Sequence, residues 1–201
     1  HFNGSPLVVL GGRSPDARWG TGALQELDQP PLLAPVSKNA ATVHSPAEIG
    51  DAVSQAFTTA GSPHRGPVFL DIPMDVLFSY ADVAPAAAVT PDAVAPDPDD
   101  VDEIVRLLAE SSRPVVVLGG DVWAGRAEAA ALRFAEGTGV PVIANGMGRG
   151  ILPQGHPLLV TRARGAAFSG ADLVIVIGTP LDFRLGYGVF GGAEGTTPAR
   201  V

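Results

Sequence analysis

Cysteine is absent from the 201 residues, which excludes disulfides and any thiolate chemistry within the chain and is compatible with a cytoplasmic protein. Basic residues are scarce. Thirteen Lys and Arg stand against twenty-one Asp and Glu, a formal net charge of −8, which argues against nucleic acid or an anionic membrane as the main partner. No apolar run approaches the length of a membrane span, and no secretory signal pattern is visible. The four histidines, His1, His44, His64 and His156, show no metal-ligand spacing, and no HExxH pattern occurs. Serine-hydrolase GxSxG and phosphate-loop GxxxxGK[ST] patterns are missing as well. Composition and spacing nominate no nucleophile, no general base and no metal ligand.

What is present is a set of short, uninterrupted apolar runs bounded by Gly and Pro. With 46% hydrophobic and 17% charged residues, the chain can bury a substantial core. Leu7–Leu10, Gly66–Pro73, Pro114–Leu118, Val140–Ala144 and Asp172–Ile177 read as strands buried on both faces. Asp71 interrupts the second of them, and a carboxylate there must find a partner or sit at the strand end. Between the strands lie helical patterns. Ser45-Pro46-Ala47-Glu48 predicts a capping box ahead of a stripe of Ile49, Val53, Ala56, Phe57 and Ala60. Asp97-Pro98 opens a helix with Val101, Ile104, Val105 and Leu108 on one face. Further helices are expected near 125–136 and 163–169, and a short helical turn at 25–28 ended by Pro30-Pro31. Residues 81–98, rich in Ala, Pro, Val and Asp, read as a linker. Strands alternating with helices, and apolar runs in place of alternation, predict an α/β fold of parallel sheets flanked by helices.

Three strands of the second half end in similar devices, Gly119-Gly120, Asn145-Gly146 and Gly178. Parallel strands put these ends on one edge, where such folds place nucleotide ligands. Equally, the glycines serve as tight connections and nothing more. Asp182 and Arg184 have the chemistry to hold a ribose and a phosphate, or to pair with each other as a loop salt bridge. Arg162 and Arg164 stand near a helix start, where an anion is favoured, with solvated surface charge as the alternative.

The segments SPLVVLGGR (5–13), GALQELD (22–28), VSK (36–38) and GPVFLDIPMDV (66–76) resemble the second half of the pyrimidine-binding domain of thiamine-diphosphate-dependent enzymes. RPVVVLGGD, VPVIANGMGRGILPQGHP and ADLVIVIGTPLDFRLGYG resemble the start and middle of that family's central domain. The likeness is to the acetolactate-synthase branch, with some to oxalyl-CoA decarboxylase and 2-hydroxyacyl-CoA lyase. It implies a partial pyrimidine-binding domain over 1–80, a linker over 81–98, and a truncated, Rossmann-like (DHS-like) central domain over 99–201. The function it implies is decarboxylation of pyruvate and carboligation to a second 2-keto acid, as in branched-chain amino acid biosynthesis, using thiamine diphosphate and magnesium in a cytoplasmic homodimer or homotetramer. The chain then reads as a piece of a longer protein. The Glu that activates thiamine would precede His1 and the metal motif would follow Val201, so the piece alone is expected to be inactive. Gln25 and Lys38 match positions lining or approaching the active-site channel. Gly119, Gly120, Asn145, Gly146, Met147, Gly178, Asp182 and Arg184 match positions that cradle flavin adenine dinucleotide (FAD). Asp121 replaces a third Gly, Pro180 replaces an Arg, and Thr161–Arg164 replaces a Gly- and His-containing segment. These departures leave FAD, another adenine nucleotide, a CoA portion or an empty site open. A reading from a different class, a non-catalytic nucleotide-binding module, uses the same Gly-ended edge.

Overall fold

In the computed structural model, residues 3–87, 94–192 and 199–201 are described. The chain forms two compact units, residues 1–94 and 95–201. Positions 88–93, in the middle of the expected linker, lie outside the described residues.

The first unit holds strand β1 (Val8–Arg13), helix α1 (Pro30–Leu33), β2 (Asn39–Thr42), α2 (Ile49–Gly61), β3 (Val68–Pro73) and α3 (Met74–Leu77). Its sheet is parallel, in the order β1-β3-β2, with Gly11 and Thr42 flanking Asp71. Central position explains why β3 is buried along its whole length. Its alternate residues Val68, Leu70 and Ile72 form a core with Val43, Val76 and the small faces of Ala56 and Ala60 on α2. Phe57, expected on that stripe, is 59% exposed.

Three local expectations are corrected. Pro30-Pro31 opens a helix where it was expected to end one, because proline fits the first helical turn and its missing N–H is not needed there. No helical turn forms at 25–28; Gln25 has a left-handed backbone, φ 62°. The capping box does not form. Residues Pro46–Glu48 wind as a 3-10 turn in which the Glu48 N–H donates to the Ser45 carbonyl, not to its hydroxyl.

The second unit holds α4 (Pro98–Glu110), β4 (Pro114–Leu118), α5 (Gly120–Ala124), α6 (Glu128–Thr138), β5 (Val142–Ala144), α7 (Arg164–Gly170) and β6 (Leu173–Ile177). Asp97 caps α4, accepting from the Asp99 N–H at 2.9 Å. The stripe of α4 is only partly covered, Leu108 packing on the core while Val105 is 59% exposed. The sheet is parallel, ordered β5-β4-β6. Central β4 feeds both faces: Val116 and Leu118 pack with Ala135, Val142 and Leu152, while Val115 and Val117 pack with Ile143, Leu185 and Phe190. The chain passes from β4 to β5 on one side and then crosses to β6 on the other. That reversal puts a topological switch point at the carboxyl end of β4.

Candidate functional site

The carboxyl edge of the second sheet brings all eight residues of the expected nucleotide cradle into one neighbourhood. Gly119 follows β4 and its N–H donates to the Ile177 carbonyl at 2.8 Å. The Asp121 N–H donates to the Gly178 carbonyl at 3.1 Å. The buried Asn145 side chain donates to Thr179 Oγ1 at 2.9 Å, tying the ends of β5 and β6 across β4. Gly120 lies against Met147, and Gly146 (φ 52°) lies beside Arg184 Nη1.

The glycines close this edge upon itself. A Cβ on Gly119 would run into Gly178 and the Thr179 Cβ. One on Gly178 would come within 2.9 Å of the Asp121 Cβ. The backbone of Gly119, φ −114° and ψ −169°, is open to any residue, so what it supplies is room for two strand ends to touch. The 3-10 turn at Gly146–Gly148 is held the same way, since a Cβ on Gly148 would overlap the Leu118 carbonyl.

Asp182 and Arg184 pair with each other, the second of the two roles open to them. The guanidinium reaches the carboxylate through Nε at 2.9 Å and Nη2 at 2.6 Å. The same carboxylate accepts from the Arg184 N–H at 2.9 Å and so caps the turn Phe183–Gly188. The hydrogen bonds from Arg184 hold the Asp182 carboxyl below the usual range, against the desolvation that would raise it. Arg164, expected to attract an anion, donates to the Arg184 carbonyl and stands over the Phe168 ring. Arg162 is exposed. The open side of the edge carries Met147, 62% exposed, together with exposed Asp121. A carboxylate there opposes a diphosphate.

In the first unit, exposed Gln25 sits on the loop that leaves β1, its carbonyl accepting from the Ser14 N–H. Lys38 is tied down at the end of α2, its ammonium donating to the Thr59 carbonyl at 2.5 Å and to Ser62 Oγ at 3.0 Å. Asp71 finds its partner in Arg13, 3.6 Å away. Among the described residues, no group of three or more His, Asp or Glu is placed to hold a metal ion, and no helix is long and apolar enough to cross a membrane. Sequence reasoning missed Thr179, Gly148 and Arg13. Only Gly148 left a sign, its place three residues after Asn145 in a Gly-rich turn.

Residues 101–197 match the family described as thiamine pyrophosphate enzyme, central domain. The chain is 46% identical over 208 residues to the acetolactate synthase large subunit IlvG of Mycobacterium tuberculosis, covering 98% of this chain and 38% of that protein. It is 33% identical over 221 residues to 2-hydroxyacyl-CoA lyase 2 of Caenorhabditis elegans, covering 92% of this chain and 34% of that one. Benzoylformate decarboxylase from Polynucleobacter necessarius superposes with a TM-score of 0.75 at 26% identity, over 89% of this chain and 35% of the enzyme. The chain thus spans little more than a third of the length of these relatives.

Proposed function

As the chain belongs to the thiamine-pyrophosphate-dependent enzymes, with an acetolactate-synthase-like sequence, we propose that it is part of a carboligase or decarboxylase acting on 2-keto acids. In that enzyme residues 1–80 are the end of a pyrimidine-binding domain, 81–98 a linker and 99–201 most of a central domain. The observation that carries this reading is the 46% identity, sustained over 98% of the chain, to an acetolactate synthase large subunit. Thiamine diphosphate, bound with magnesium in the whole protein, would supply a nucleophilic carbon for the decarboxylation of the 2-keto acid. This chain's part is to position. Gln25, which is exposed, would line the active-site channel, and Lys38, its ammonium held at the end of α2, would approach it. The central unit offers the edge of Gly119, Gly120, Asn145, Gly146, Met147 and Gly178 to an adenine nucleotide, FAD or a close analogue. For Arg184 to meet a phosphate there, its guanidinium must turn from Asp182, which is then released toward a ribose hydroxyl. The working enzyme is a cytoplasmic homodimer or homotetramer.

A second reading, 2-hydroxyacyl-CoA lyase or oxalyl-CoA decarboxylase chemistry, is favoured by the 33% identity, over 92% of the chain, to a 2-hydroxyacyl-CoA lyase. The test is a substrate panel on the intact protein with thiamine diphosphate and magnesium. Acetolactate from pyruvate supports the first reading, and formyl-CoA from oxalyl-CoA or a 2-hydroxyacyl-CoA supports the second. Turnover of none supports a non-catalytic nucleotide-binding module.

A further inference from the structure

The carboxyl end of the first sheet buries charge. Asp71 is fully buried in central β3, and Arg13, at the end of β1, is 6% exposed. Strand register puts Gly11, Asp71 and Thr42 side by side, with Arg13 two residues beyond Gly11 on the same face. Arg13 Nη1 donates to Thr42 Oγ1 at 2.6 Å and lies 3.6 Å from the Asp71 carboxylate. Its guanidinium carbon lies over the Trp19 ring, 3.9 Å from the centroid. A buried ion pair of this kind is weak evidence for stability, since desolvation cancels much of the attraction. Arg13 Nε, Ser14 Oγ and both Asp71 oxygens have no hydrogen-bond partner among the described residues. The pair therefore calls for a purpose other than strength.

The loop between β1 and α1 supplies one. Trp19 lies at its crest, 40% exposed, its ring packed on Arg13. Ser14, next to Arg13 and 1% exposed, donates its N–H to the carbonyl of Gln25 at 3.2 Å. Gln25 holds a left-handed backbone that a residue with a side chain adopts only when its surroundings impose it. The far end of the loop returns to β1 through Gln29 Nε2, which donates to the Gly12 carbonyl at 2.8 Å.

We propose that Asp71 and Arg13 are positioning residues: the buried pair props Trp19 and the Ser14 N–H, and so holds the 14–29 loop in the one shape that presents Gln25. The link from loop to turnover rests on the channel role given to Gln25 above; the link from pair to loop does not.

The test is made in the intact protein. Arg13→Met alone strands the Asp71 charge and is expected to unfold the unit. Arg13→Met with Asp71→Leu replaces both charges by apolar side chains and is expected to keep the parent's melting temperature. In that double variant the loop loosens. Trypsin cleavage after exposed Arg18 rises by about tenfold, because cleavage tracks the open population once a charge-assisted prop is lost. Trp19 fluorescence, read as the part of the signal that a Trp19→Phe variant loses, becomes easier to quench. In pyruvate turnover, the double variant and Gln25→Ala lower kcat/KM alike, and combining them adds nothing further. Unchanged cleavage and quenching in a folded double variant would overturn the proposal. Increased cleavage with no effect of Gln25→Ala on turnover would support the prop and reject the channel role of Gln25. If the losses in kcat/KM multiply, the pair acts on turnover by a path other than Gln25, and its role in presenting Gln25 is rejected.

Discussion

Replacing Gly119 with alanine should be among the most damaging single changes in the second unit, although its backbone suits any residue. The added Cβ would sit 2.7 Å from the Gly178 carbonyl carbon and closer still to its oxygen and the Thr179 Cβ. Neither neighbour is the free end of a flexible side chain, so the ends of β4 and β6 must part. Parting them stretches the bonds from Gly119 N–H to Ile177 and from Asp121 N–H to Gly178, now 2.8 and 3.1 Å. Overpacking costs about 1–3 kcal/mol and a lost backbone hydrogen bond about 1 more, so the expected loss is about 2–4 kcal/mol. For a unit of roughly 100 residues, each kcal/mol lowers the melting temperature by about 4–8 °C, which makes a fall of at least about 8 °C. Calorimetry of the intact protein reads it. Gly137→Ala is the control: it lies within α6 with nothing inside 4 Å of its Cβ. There the change should stabilise by roughly 0.5–1 kcal/mol. If Gly119→Ala melts with the parent, the edge is not closed by glycine packing, and its glycines serve a ligand's approach.

The edge should still take a nucleotide. At a hundredfold excess over its dissociation constant, an adenine nucleotide stabilises by roughly 2.7 kcal/mol, and FAD, ADP and CoA are titrated separately by thermal shift. Arg184→Ala should lose most of that shift, and an Asp121→Gly variant should enlarge it for FAD; no shift with any of the three would make the edge purely structural. Lys38→Met should lower the melting temperature, since its ammonium holds the last carbonyls of α2, with much less effect on turnover. Asp172 governs acid stability at the opposite end of the sheet. Burial would raise its carboxyl, but donation from the Ser111 hydroxyl and the Ser112 and Arg113 N–H groups holds it below its ordinary value. A depressed folded pKa contributes stability that is full above the unfolded value of about 3.9 and fades as pH falls through the folded one. The melting difference between parent and Asp172→Asn should therefore be widest near neutrality and close below about pH 4.

The strands were legible wherever a buried run met Gly or Pro, as at Val115–Leu118 and Leu173–Ile177. Strand β2 was not. Its sequence, Asn-Ala-Ala-Thr, is small and half-polar because an edge strand needs only one buried flank. Helix α5 was hidden by Gly120 at its first position, where glycine usually signals a turn. The convergence of Gly119, Asn145, Gly178 and Arg184 followed from strand order alone. That the glycines meet each other, and that Arg184 is held by Asp182, depends on distances across the edge that no spacing encodes. Arg13 was unreadable for a similar reason: its burial depends on Asp71 and Trp19, one distant in sequence and one in a polar turn.

The central claim is that this chain works within a thiamine-diphosphate-dependent enzyme acting on 2-keto acids. The most direct measurement is acetolactate formation from pyruvate by the intact protein after thiamine diphosphate and magnesium have been stripped and then restored. The account predicts activity that disappears on stripping and returns only when both are added, with none at any stage from residues 1–201 alone. Acetolactate formed by the stripped protein, or by residues 1–201 alone, would contradict it, as would a restored protein that leaves pyruvate untouched.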